Sequence, residues 1–198
     1  MSLYAEKGKF EEAIKLREKI KALGLVCGQI EEGDWSVLGL KSRPLRIEAF
    51  DISNIGGAKA VGSMVTFIDA SPSKNDYSRF KIKSVEGIDD YAMLKEVLQR
   101  RYSRLIDENL KRPDLVVIDG GKGHLGAAYS ELKKLGLSLP IIAIAKGEEL
   151  IYTVKNAAPL RLEKADYVLQ LIQRVRDEAH RFAISYHKLL RKKKAFEK

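Results

Sequence analysis

The chain has 198 residues, 45% apolar and 32% charged, proportions of a folded protein with a substantial core and not of a disordered tract. A formal charge of +9 and a pI near 9.5 favour a polyanionic partner such as nucleic acid, although a solvated basic surface accounts for the same charge. The single cysteine, Cys27, excludes an internal disulfide and a thiolate metal cluster. No apolar run reaches the ~18 residues of a membrane span and the first residues lack a secretory signal's apolar stretch, so the expectation is a cytoplasmic protein with no membrane contact.

In residues 4–23, Phe10, Ala13, Leu16, Ile20 and Leu23 recur at helical spacing with Lys and Glu on the other faces. This predicts an amphipathic N-terminal helix, assigned as 1–23 and stopped by Gly24. Residues 24–44 carry Gly24, Gly28, Gly33, Gly39 and Pro44 around weak apolar signals and read as a linker with one short strand at most. From Leu45 the pattern becomes orderly, and 45–198 is taken as one domain. Leu45–Ile52 and Ala60–Asp69 predict strands, and Tyr77–Val85, where Phe80, Ile82 and Val85 alternate with basic residues, predicts a half-exposed third. Tyr91–Glu108 reads as a helix with Leu94, Val97, Leu98 and Leu105 on one face. Next come a strand at Leu115–Ile118, a helix at His124–Leu135 closed by Gly136, and a strand at Ile141–Ala145. A weaker β segment at Leu150–Val154 precedes a long helix from about Lys164 to Arg191.

Strands joined by short turns form an antiparallel meander, and strands joined through helices run parallel to the first. The expected architecture is therefore α/β, a mixed five-stranded sheet with flanking helices on the ribonuclease H-like plan. In that plan the first and fourth strands are neighbours, so Asp51 and Asp119 meet at adjacent strand ends.

Both aspartates close runs rich in apolar residues, Arg46-Ile47-Glu48-Ala49-Phe50-Asp51 and Leu115-Val116-Val117-Ile118-Asp119. A carboxylate at the tip of a buried strand is costly unless compensated, and a metal ion is a common compensation. In the last helix Val168, Ile172, Val175, Ala179 and Ala183 make the packed stripe, and His180 sits beside it. Alone, a helical histidine is usually a surface residue. On a helix crossing the sheet near both aspartates it completes a mixed oxygen and nitrogen set suited to Mn²⁺ or Mg²⁺. His180 has a second reading as general base for an attacking water, and the sequence does not choose between the two.

Asp89-Asp90 opens a helix, so either residue caps free N–H groups or supplies a third carboxylate. Gly120-Gly121-Lys122-Gly123 is no P-loop: its glycines are too close together and His124 follows in place of Ser or Thr. It suits contact between Lys122 and a nucleic-acid phosphate. Lys146, in Ala145-Lys146-Gly147, is either a second such cation on the same edge or part of an ordinary turn. Arg100, Arg101, Arg104, Arg174, Arg176 and Arg181 fall on two predicted helices. Some are solvated charges; lined along a groove, they would hold a duplex backbone.

Together these stretches resemble the UvrC family, the incising subunits of bacterial nucleotide excision repair. The resemblance runs from about Leu45 to Lys192 through six motifs in the family's order. They are Phe50-Asp51-Ile52-Ser53-Asn54, Asp89-Asp90-Tyr91-Ala92-Met93, Arg100-Arg101-Tyr102, Ile118-Asp119-Gly120-Gly121-Lys122-Gly123, Ala145-Lys146-Gly147 and the stretch from Ile172 to Ile184. It implies a ribonuclease H-like endonuclease that makes the incision 5′ to a lesion in double-stranded DNA by metal-dependent phosphodiester hydrolysis. The family's metal-holding set maps onto Asp51, Asp119 and His180, and a further aspartate needed for incision onto Asp90. Residues 5–20 are similar to most of a UVR motif, which implies UvrB as a partner through the N-terminal helix. The family's GIY-YIG nuclease and tandem helix-hairpin-helix domains have no counterpart in these 198 residues. Two other readings stand beside this one. One is a non-catalytic adaptor for UvrB or DNA, against which the intact trio speaks. The other is a ribonuclease H-like nuclease for branched or hybrid nucleic acids.

Overall fold

The structure, a computed structural model, describes residues 33–53, 60–85 and 87–196, with side chains as far as Ser185. The expected N-terminal helix and the first part of the linker lie outside the described residues. A 3₁₀ turn at Trp35–Leu38 precedes β1 (Arg46–Ser53), β2 (Val61–Ile68) and the two-residue β3 (Ser71–Pro72). A second 3₁₀ turn, Lys74–Asp76, leads into β4 (Ser78–Lys81) and helix α1 (Asp90–Asp107). There follow β5 (Leu115–Asp119), α2 (Lys122–Lys134), β6 (Ile141–Ala145), β7 (Leu150–Thr153) and α3 (Tyr167–Phe196).

The sheet runs β3-β2-β1-β5-β6-β7, with β4 also paired to β2, giving seven strands in the mixed α/β plan expected from the sequence. β1 pairs antiparallel with β2 and parallel with β5, and β5 pairs parallel with β6, as strand-turn-strand and strand-helix-strand connections dictate. Seven strands replace five for two reasons. Ser71–Pro72, read as a turn, doubles back onto Phe67 and Ile68, and the weak segment at 150–153 pairs antiparallel with β6. β4 is also shorter than the pattern suggested. Beyond Ile82 its amides leave the ladder, and the Glu96 carboxylate accepts from Lys83 N–H at 2.9 Å and Ser84 N–H at 2.9 Å.

Two-residue alternation divides the core between the faces of the sheet. Ile47, Ala49, Val65, Phe67, Leu115, Val117, Ile142 and Ile144 pack under α3 through Val168, Ile172, Val175 and Ala179. Trp35 and Leu38, ahead of β1, belong to this same cluster. On the other face Phe50, Met64, Val116, Ile118 and Ala143 pack against Leu94, Val97, Leu98 and Tyr102 of α1 and Leu125, Ala128 and Leu132 of α2. Gly62 lets α1 come close, since a Cβ there would stand 2.4 Å from Val97 Cγ2. Among the described residues no helix is long and apolar enough to cross a membrane.

Glu48 is fully buried on the α1 side of β1. Its carboxylate accepts from Arg101 Nη2 at 2.6 Å, Arg101 Nε at 3.1 Å and the Tyr102 hydroxyl at 3.3 Å. Two parallel N–H···O bonds satisfy both ions, which is the condition for tolerating a pair out of water. Removing one partner strands the other. Glu48→Gln should therefore cost about 3–5 kcal/mol of stability in urea denaturation, and a loss under about 1 kcal/mol would mean that Arg101 finds another anion.

Candidate metal centre

The alternation that buries Ile47 and Ala49 under α3 turns Asp51 to the same face, and Leu115 and Val117 do the same for Asp119. The β1–β5 register pairs Ala49 with Val117 and Phe50 with Ile118, so the two carboxylates end neighbouring parallel strands at the same level. α3 crosses above them with Ala179 and Ala183 fully buried, and His180 projects between these alanines toward the strand ends. His180 Nδ1 stands 3.4 Å from Asp51 Oδ1 and 4.0 Å from Asp119 Oδ2. One ligand atom from each of the three residues lies within 4.8 Å of the others. Two carboxylate oxygens and one imidazole nitrogen gathered this closely could hold a divalent cation after a small closure of the trio. The Ser53 hydroxyl donates to Asp51 Oδ2 and steadies that carboxylate.

Burial, then the neighbouring Asp51 charge, pushes the Asp119 carboxyl up from its ordinary 3.8 to about 6, with Arg176 and His180 pulling the other way. Arg176 lies one helical turn before His180. It is almost fully buried, with its guanidinium donating to Glu149 and, at 2.7 Å, to Asp177 Oδ1. It is a fixed cation beside the two aspartates, and Glu149, held at φ 55° after β6, is a partner no sequence spacing indicated.

The loop after Asp119 is built by glycine. Gly120 has φ 151°, and a Cβ there would stand 2.6 Å from His124 Cγ; a Cβ at Gly123 would meet the Tyr91 hydroxyl at 2.5 Å. The Tyr91 and His124 rings pack edge-on with centroids 4.8 Å apart, so the start of α1 is tied to the first turn of α2, beside Asp119. This contact was invisible in the sequence. Of the two aspartates ahead of Tyr91, Asp89 is the cap, accepting from Ala92 N–H at 2.9 Å; Asp90 is the first residue of α1 and lies outside the three-residue cluster.

The six expected DNA-binding cations divide into three kinds. Lys122 and Lys146 are exposed and follow β5 and β6 on the sheet edge that carries both aspartates. Lys122 Nζ donates to the Ala157 carbonyl at 3.2 Å. Arg100 donates to the Lys81 carbonyl at 2.7 Å, and Arg181 forms a two-pronged pair with Glu178 at 2.6 Å. Arg101 and Arg176 are corrected from the surface role: they are 8% and 6% exposed, and carboxylates occupy their guanidinium groups, buried Glu48 for Arg101 and the more open Glu149 and Asp177 for Arg176.

The family described as the UvrC RNase H endonuclease domain matches residues 36–184. The chain belongs to this family. UvrABC system protein C of Methanococcus maripaludis is 54% identical over 156 residues, 79% of this chain and 30% of that one. The protein of the same name from Methanosarcina mazei is 47% identical, covering 93% of this chain and 37% of its own, and that from Porphyromonas gingivalis 45%, covering 96% and 31%. The chain thus spans about a third of the length of these curated relatives. A Ciona intestinalis endonuclease V solved with an inosine-containing 24mer DNA aligns over 91% of this chain and 69% of its own, at 19% identity and a TM-score of 0.42.

The raised Asp119 pKa gives this UvrC-family centre a pH signature. The folded state holds the proton more tightly than the unfolded chain. The carboxyl's contribution to stability is therefore complete below about pH 4 and is lost as pH rises through about 6. Asp119→Asn removes the repelled charge. In EDTA at pH 7.5 the variant should melt several degrees above the parent, with the difference closing near pH 4. A variant melting below the parent at pH 7.5 would show that the Asp119 charge is not under strain.

Proposed function

We propose that this domain is a divalent-metal-dependent endonuclease that hydrolyses a phosphodiester of damaged double-stranded DNA on the 5′ side of the lesion in nucleotide excision repair. The observation that carries this reading is the convergence of Asp51, Asp119 and His180 at the carboxyl ends of β1 and β5, within 4.8 Å of one another. A bound Mn²⁺ or Mg²⁺ supplies Lewis-acid stabilisation of charge on the scissile phosphate and the leaving 3′ oxygen. Asp51 and Asp119 would hold the ion. His180, more open than either carboxylate, either completes the ligand set or takes the proton of the attacking water. Asp90 adds a carboxylate on the α1 side, near the loop that Tyr91 anchors. Lys122 and Lys146 meet backbone phosphates flanking the cut, with Arg100 and Arg181 as outer contacts whose weight falls with salt.

The division into a helix at 1–23, a linker at 24–44 and a nuclease domain at 45–198, whose core also takes in Trp35 and Leu38 from the end of that linker, gives the first part a separate task, docking on UvrB. Its support lies in the match to the Porphyromonas gingivalis protein. With 96% of the chain covered, only about 4% of 198 residues, roughly 8, remain unmatched, so most of residues 1–32 are shared with that relative.

The test is nicking of an end-labelled, lesion-containing duplex with Mn²⁺ or Mg²⁺, with and without UvrB. One metal-dependent cut 5′ to the lesion is expected, reduced by about 10³-fold or more in Asp119→Asn, with Asp90→Asn impaired more than Asp89→Asn. Cutting that survives Asp119→Asn would reject the centre. Cleavage of junctions or hybrids in preference to the lesion duplex would favour a different substrate for the same chemistry. Binding of UvrB or DNA without any cleavage would favour an adaptor.

A further inference from the structure

Asp51 stands directly opposite Ser63 in the antiparallel β1–β2 pair, an arrangement that places both side chains on the α3 face with Cβ atoms about 4.5–5.5 Å apart. Ser63 is fully buried, and its hydroxyl makes no hydrogen bond to any described group. A buried hydroxyl without a partner lowers stability, and alanine would fill the position without that cost. The neighbour on the far side is already engaged: Arg79, opposite Ser63 on β4, donates to Ser185 Oγ at 3.2 Å and lies 4.2 Å over the Phe182 ring. The group that can use the hydroxyl is on the β1 side.

Asp51 has its Oδ2 taken by Ser53, while its Oδ1 faces His180 Nδ1 at 3.4 Å. A cation that draws on both Asp51 Oδ1 and His180 replaces this contact and removes one restraint on the carboxylate plane. A donor across the strand pair restores it.

We propose that Ser63 is a positioning residue of the metal centre, donating its hydroxyl hydrogen bond to the Asp51 carboxylate when a divalent cation is held there. The inference rests on the metal centre proposed above. It assigns the orphaned hydroxyl to the loaded state and implies opposite effects of its removal on stability and on affinity. Ligand-orienting partners of this kind are worth about 10–100-fold in metal affinity.

Mn²⁺ binding is titrated by calorimetry and by loss of the free-ion electron paramagnetic resonance signal, on the full chain, for the parent, Ser63→Ala, Ser63→Cys and Asp51→Asn. Thermal melts of each are taken in EDTA. Ser63→Ala should bind Mn²⁺ about 10-fold more weakly while melting, metal-free, at or above the parent. Ser63→Cys, a weaker donor of similar size, should fall between them, and it carries the test if the alanine variant does not fold. The role is overturned if Ser63→Ala binds Mn²⁺ within about twofold of the parent. It is equally overturned if weaker binding comes with a lower metal-free melting point, the mark of a packing residue. Asp51→Asn separates the two levels. If it loses Mn²⁺ while Ser63→Ala keeps it, only the positioning role fails; if neither it nor Ser63→Ala changes binding, or the parent binds none, the centre fails too.

Discussion

Everything at the functional end of this molecule follows from one electrostatic conflict, two carboxylates held side by side at the ends of neighbouring parallel strands. The β1–β5 register puts Asp51 and Asp119 at the same level, and strand alternation turns both toward α3, where Asp51 is almost completely buried. The strands that carry them are fixed by Ile47, Ala49, Leu115 and Val117 packed on the same face. The raised Asp119 pKa reflects burial first and the neighbouring Asp51 charge second, so protonation relieves both. Arg176, set into α3 by Glu149 and Asp177, offsets part of the negative charge but is committed to its own partners.

Holding such a site requires a rigid frame on both sides of the sheet. On the α3 side the frame is the apolar seam from Val168 to Ala183, whose small residues at 179 and 183 bring the helix down to the strands and set the height of His180. On the opposite side it is the Glu48–Arg101–Tyr102 cluster, which locks the middle of α1 to β1 three residues before Asp51. The front of α1 is fixed separately, where Tyr91 fits against Gly123 and the His124 ring. That contact places the Asp89–Asp90 segment relative to the loop after Asp119, although neither residue joins the metal set itself.

What the sequence revealed was whatever depends on local periodicity and chain order. Short runs rich in apolar residues identified the strands ending in Asp51 and Asp119. The helix-strand order implied their adjacency, and the stripe on the last helix located His180. Features that depend on a distant partner stayed hidden. Arg101 looks like any basic helical residue until Glu48, 53 positions away, is seen to take its guanidinium; Arg176 likewise needs Glu149, 27 positions away. β3 is too short for any pattern to declare itself, and the early end of β4 follows from a carboxylate on α1 competing for strand amides. The capping of α1 by Asp89, not Asp90, is likewise a matter of backbone angle that composition does not encode.

The two unfavourable features near the strand ends, the strained Asp119 carboxyl and the orphaned Ser63 hydroxyl, act in the same thermodynamic direction. Each raises the free energy of the fold, and each would be relieved in the proposed loaded state, where a cation neutralises the carboxylates and Asp51 accepts from Ser63. Binding free energy for an ion is the difference between loaded and unloaded states, so strain in the unloaded protein adds to affinity as directly as a new ligand bond does. The well-packed cores on both faces of the sheet make such strain tolerable, because they keep the strand ends from relaxing. On the proposed reading, the stability forgone at Asp119 and Ser63 would reappear as preorganisation of the centre for a cation.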